Sequence, residues 1–85
     1  MQVELSSRFK KLFRKLDRRV QTRAIERIKI FKENSFDARL ETHKLHGKDL
    51  GLWSFSVDYF HRIKFIFIDR DKVLFLEIGR HNIYK

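Results

Sequence analysis

The sequence predicts an α+β fold, an N-terminal helical hairpin packed on one face of a small, mainly antiparallel twisted sheet. Three observations predict it. Apolar residues recur at helical spacing from Phe9 to Phe31. From Leu52 onward the pattern changes to alternation and then to short, nearly continuous apolar runs. Between the two halves lies a polar segment, residues 37–51, with two Gly and several cationic side chains. A change of hydrophobic period along one chain marks a change of element type.

The elements follow in order. QVEL, residues 2–5, reads as a short first strand. Ser6 or Ser7 is a good N-cap, because a Ser oxygen accepts from the first free backbone N–H groups. Phe9, Leu12, Phe13 and Leu16 then mark one face of a helix. Asp17 interrupts and caps a second helix, in which Val20, Ala24, Ile28 and Phe31 continue the stripe to about Glu33. Arg18, Arg19, Arg23, Arg27 and Lys29 fall mostly off that stripe. Asn34 is expected to end the helix in a left-handed turn. Two such helices in succession need a layer to cover. Three strands supply it: 52–57, 62–68 and 72–78. The first alternates Trp53, Phe55 and Val57 against Ser54, Ser56 and Asp58, so one face is apolar and the other open. RIKFIFI and KVLFLEI are apolar almost throughout, as central strands are. Asp58 to His61 and Asp69 to Asp71 are the hairpin connections.

With 85 residues the natural count is one domain, 1–85. Cys is absent, which excludes a disulfide framework and a thiolate zinc site. A cytoplasmic setting is expected, with no signal peptide and no apolar run of the ~20 residues a membrane helix needs. Twenty Lys and Arg against eleven Asp and Glu give a formal +9. The excess is concentrated in residues 1–33, where eleven basic and four acidic side chains net +7. Such a balance favours polyanionic or acidic partners, although most exposed cations on helices only solvate a surface.

No phosphate-binding glycine loop, nucleophile elbow or paired carboxylate is present. His43 and His46 are three apart without a third ligand, so neither a metal nor a cofactor is expected. What remains is cationic: His43 and Lys44 with Lys48 in the crossover, His61 in the first hairpin connection, Arg62 at the start of the middle strand, and Arg80, His81 and Tyr84 in the closing GRHNIYK. Antiparallel connectivity makes Arg62 a neighbour of Arg80 and His81. RNA cleavage by 2′-OH attack needs a base, an acid and cations on the phosphate. His performs either proton task near neutral pH, Arg matches phosphate, and Tyr stacks a base. A plain basic binding surface is the other reading of the same residues.

The ordered series HKLHG, GLWSFSV, HRIKFIF and VLFLEIGRHNIY, after the RFKKLFRKLD helix start, resembles the RelE/ParE superfamily of toxins from type II toxin–antitoxin modules. The resemblance covers nearly the whole chain and lies nearest the YoeB- and YafQ-like messenger-RNA interferases. It implies a RelE-like fold related to microbial ribonucleases, with the active surface on the sheet face opposite the helices. It implies a ribosome-dependent endoribonuclease that acts without metal, with mRNA, the ribosome near its 16S rRNA and a cognate antitoxin as partners, oligomerising through the toxin–antitoxin complex and with no membrane role. Arg62 matches the family's catalytic strand arginine, His81 its C-terminal catalytic His or Arg, Tyr84 its terminal aromatic, and His43 a loop position that is His or Glu. Arg80, Lys44, Lys48 and His61 are then phosphate- or RNA-binding candidates, with His61 also a replacement acid or base. The sequence departs from the pattern at Ser54 and Ser56, where RelE has lysines, at Val57, where YafQ-like members have His, and at His61-Arg62, where they have Asp-Trp. These departures leave a ParE-like gyrase inhibitor, or a degenerate toxin that only binds its antitoxin, as the alternative.

Overall fold

A computed structural model describes residues 1–80. His81 and Tyr84 lie outside the described residues. Strand β1 (Gln2–Leu5) leads into helix α1 (Ser7–Lys15) and helix α2 (Arg18–Glu33). A 3₁₀ turn, Ala38–Leu40, precedes the two-residue strand β2 (His43–Lys44), and a second one, Gly47–Asp49, precedes β3 (Trp53–Ser56). Strands β4 (His61–Asp69) and β5 (Lys72–Arg80) complete the described chain. Among the described residues the strands form one sheet in the order β1-β5-β4-β3-β2. The β2–β3, β3–β4 and β4–β5 pairs are antiparallel, and β1 joins β5 in parallel. The expected α+β architecture is therefore what forms.

Both expected caps are in place. Ser6 Oγ accepts from Phe9 N at 3.0 Å, and Asp17 Oδ1 accepts from Val20 N at 3.1 Å. Asn34 does not adopt the left-handed turn; its backbone is extended (φ −156°, ψ 101°). Its side chain accepts from Phe36 N at 3.0 Å, so Asn34 starts the next turn with an Asx-type bond. Among the described residues the left-handed non-glycine residue is Glu41, φ 53°, just before β2. β2 itself is too short to be read from an apolar pattern and is defined by its pairing with Ser54 and Trp53.

The core lies between the helices and the inner sheet face. Phe31 is its centre, stacked on Phe55 at 4.7 Å and edge-on to Phe65 and Phe75 at 5.0 and 5.4 Å. A β-bulge shapes β5. Lys64 pairs with Glu77 and Phe65 with Phe75, which leaves Leu76 unpaired. Strict alternation would put Glu77 on the same face as Phe75. The extra residue reverses the alternation, so Phe75 and Ile78 are both buried while Glu77 faces Lys64 on the outer side. The carbonyl that the bulge releases accepts from Ser6 Oγ at 2.8 Å. One hydroxyl thus caps α1 and ties it to the bulge.

Candidate active site

The outer sheet face carries the polar residues. Registered partners on neighbouring strands share a face, so His43, Ser54, Lys64 and Glu77 form one row across β2, β3, β4 and β5. Ser56, Arg62 and Gly79 form the next. His43 is thus two strands and one row from Arg62, roughly 12 Å between Cα atoms at ordinary strand spacings. Gly79 places no side chain beside Arg62, and the serines on β3 are short. The ground between His43 and Arg62 is therefore polar, with Ser54 covered at 1% exposed and Ser56 half-buried.

His43 is exposed, and its Nδ1 lies 2.8 Å from Glu41 O. A carbonyl can only accept, so Nδ1 carries the hydrogen. In the neutral ring that leaves Nε2 with the lone pair, the form a general base needs. The left-handed Glu41 sets up this contact.

Arg62 is half-buried. Its Nη1 donates to Asp58 O at 2.7 Å and His61 O at 3.1 Å, with a longer bond to Tyr59 O at 3.4 Å. One arm of the guanidinium is therefore fixed to the β3–β4 hairpin. Nε and Nη2 make no hydrogen bond among the described residues. A guanidinium held at one corner keeps two donors in a set direction, which suits an anion on the outer face.

Lys64 escaped the sequence reading because it sits inside the apolar run RIKFIFI. Its even position in the strand was the available signal. It is 8% exposed, with Nζ 3.1 Å from Asp49 Oδ2 and 3.9 Å from Glu77 Oε1. A buried ammonium needs such partners. The pair with Asp49 also fastens the crossover loop, and with it His43, to the sheet.

The other candidates separate. Lys44 is registered with Trp53 and lies over its ring at 5.6 Å, away from the His43 row. Lys48 is exposed in the 3₁₀ turn beside Asp49. Arg80 is the backbone neighbour of His61, so connectivity brings it close to Arg62 as expected. It stands one residue out of phase with Arg62, however, and its guanidinium lies 5.0 Å from the Phe60 ring. His61 is not a solvated loop residue. It is 9% exposed, with Nδ1 2.9 Å from Asp58 Oδ1. Burial opposes ionisation of Asp58, but hydrogen bonds from the His61 ring and from the backbone N–H groups of His61 and Phe60 outweigh it, and the carboxyl is held below its ordinary range.

A second feature lies on the helical side. An almost wholly apolar groove of about 320 Å³ runs between β1, α1 and α2, lined by Leu5, Phe9, Phe13, Ile25 and Ile28, with Lys10 and Arg14 alongside. Leu5 and Ile25 are 41% and 54% exposed. Among the described residues no helix is long and apolar enough to cross a membrane.

Neither a protein-family model nor a curated protein matches the sequence. Solved structures are similar in fold. A YoeB/ParE toxin from Agrobacterium tumefaciens superposes with a TM-score of 0.78 at 16% identity, over 95% of this chain and 99% of that one. YafQ from E. coli gives 0.75 at 15% identity, over 96% and 94%. The archaeal RelE of a RelE–RelB complex from Pyrococcus horikoshii gives 0.74 at 18% identity, over 93% and 92%.

Proposed function

We propose, from the fold shared with RelE-, YoeB- and YafQ-type toxins, that this chain is the toxin of a type II toxin–antitoxin module, a cytoplasmic single-domain endoribonuclease that cleaves messenger RNA on the ribosome. The observation that carries the reading is the outer sheet face, which His43 shares with Arg62 and its two remaining donors. His43 Nε2 takes the proton of a ribose 2′-OH. The 2′ oxygen attacks the adjacent phosphorus, and Arg62 stabilises the charge that builds on the phosphoryl oxygens. The bond to the 5′ oxygen breaks, and that oxygen is protonated by His81. The products are a 2′,3′-cyclic phosphate and a 5′-hydroxyl, and no step calls for a metal. Tyr84 orients the substrate. Lys48, exposed in the crossover, takes a flanking phosphate, while Lys44 and Arg80 are engaged with the Trp53 and Phe60 rings and His61 holds the hairpin through Asp58.

The apolar groove between the helices supports the second half of the proposal. Exposed Leu5 and Ile25 beside Lys10 and Arg14 suit an amphipathic, acidic antitoxin segment that orders on binding.

Primer extension on a reporter message in a cell-free translation reaction tests the assignment. Wild type should give discrete cuts. His43→Ala, Arg62→Ala and His81→Ala should each lower cutting by about 10²- to 10⁴-fold, the range for a positioned proton-transfer or charge-stabilising group. Unchanged cutting by both His43→Ala and Arg62→Ala would remove this site. The fixed arm of Arg62 also fits a purely structural role, as in a ParE-like gyrase binder. Inhibition of supercoiling by purified gyrase, with no cuts in the message, would select that alternative.

A further inference from the structure

The tip of the β3–β4 hairpin combines two features. Its backbone is held by many hydrogen bonds, and its two tip side chains are exposed aromatics. Asp58 Oδ1 alone accepts from Phe60 N at 2.9 Å, His61 N at 2.7 Å and the His61 ring at 2.9 Å. Ser56 Oγ and Arg62 Nη1 both donate to Asp58 O, at 3.0 and 2.7 Å. Val57 N closes the loop onto His61 O at 2.9 Å. Yet Tyr59 is 83% and Phe60 50% exposed. The two rings meet edge to face at 5.1 Å, and Arg80 lies over Phe60 at 5.0 Å. A loop that only had to turn would serve with small polar residues.

We propose that Tyr59 and Phe60, backed by Arg80, form a stacking platform for an unpaired base of single-stranded RNA beside the cleaved phosphate. The proposal rests on the RNA-directed reading above but does not require cleavage. Stacking on a ring gains most when the ring is already positioned, and the hydrogen bonds of the loop provide that positioning. The charges choose the partner. Arg62 and Arg80 flank the tip, and its one carboxylate, Asp58, is engaged through Oδ1 with His61 and the loop backbone. An exposed aromatic pair between guanidinium groups fits a base attached to a phosphate chain. The main-chain oxygen of Tyr59 also lies 3.4 Å from Arg62 Nη1, which places the platform next to the proposed phosphate position.

The test is binding of a labelled 2′-O-methyl RNA hexamer, which cannot undergo 2′-OH attack, followed by fluorescence anisotropy at low salt. The same hexamer with abasic positions serves as the second ligand. Tyr59→Ala and Phe60→Ala should weaken binding of the hexamer by about 5- to 100-fold. Neither should alter binding of the abasic strand. Phe60→Leu keeps an apolar side chain without a π face and should behave like Phe60→Ala. Equal losses on both strands, no loss on either, or no binding by wild type would each overturn the platform. Cleavage is read separately by primer extension. Cutting without aromatic-dependent binding removes the platform and leaves the nuclease, and the reverse result removes the nuclease and leaves the platform.

Discussion

Asp58 shows how one side chain can be read at different levels. In the sequence it is an ordinary turn residue, and His61, in the same connection, a candidate RNA contact. In the fold its carboxylate holds the hairpin through the His61 ring and two backbone N–H groups. Because its folded pKa lies below the ordinary 3.8, the ionised form stabilises the fold. That contribution is fully present above the ordinary value and is lost as pH falls below it, through the folded value. Asp58→Asn keeps the oxygen acceptor but does not titrate. The difference in thermal stability between wild type and Asp58→Asn should therefore be constant near neutrality and shrink below about pH 4. A difference independent of pH down to 2.5 would contradict the assignment. Lys64 carries a related lesson: a cation inside an apolar run is legible as polar only once its face is known.

At the scale of elements, the helix stripe, both caps and the hairpin positions were readable, since each depends on contacts within a few residues. The bulge at Leu76 was not, because it is defined by which residue of β4 stands opposite. It nonetheless decides that Glu77 faces Lys64 and that Phe75 and Ile78 both reach the core. Ser6 Oγ joins the two kinds of information, accepting from Phe9 N and donating to Leu76 O. Ser6→Ala should cost about 1–2 kcal/mol, through the lost cap and the carbonyl left without its donor. For a domain of this size that is a fall of roughly 5–15 °C in melting temperature. Ser6→Asp restores the cap alone and should recover only part of the loss. Full recovery in a calorimetric scan would show that the bond to the bulge contributes nothing.

At the scale of the whole molecule, the net +9 charge and its concentration in the helices separate two surfaces. The helical side carries most of the excess charge and the apolar groove, while the sheet side carries the polar strip. In the proposed reading the first meets an acidic antitoxin segment and the second meets RNA. Binding of the single-stranded hexamer should weaken with salt, with a log–log slope of about −2 if roughly three phosphates are contacted. Arg62→Ala should make that slope shallower, and Ile25→Ala, in the groove, should leave it unchanged. A salt-independent affinity would argue against phosphate contacts on the sheet face.

The sequence by itself determined the class of fold, the two helix N-caps, the core stripe and the cationic residues, because periodicity and N-capping are properties of neighbours along the chain. It could also place Arg62 beside the end of β5, since antiparallel connectivity requires it. Which residues of different strands share a face was decided only by the tertiary structure. Lys44 went to the Trp53 ring and Arg80 to the Phe60 ring, while His43, Lys64 and Arg62 came to one side. In a sheet, one residue of register moves a side chain from one face to the other, and register is set by pairing and bulges between segments far apart in sequence.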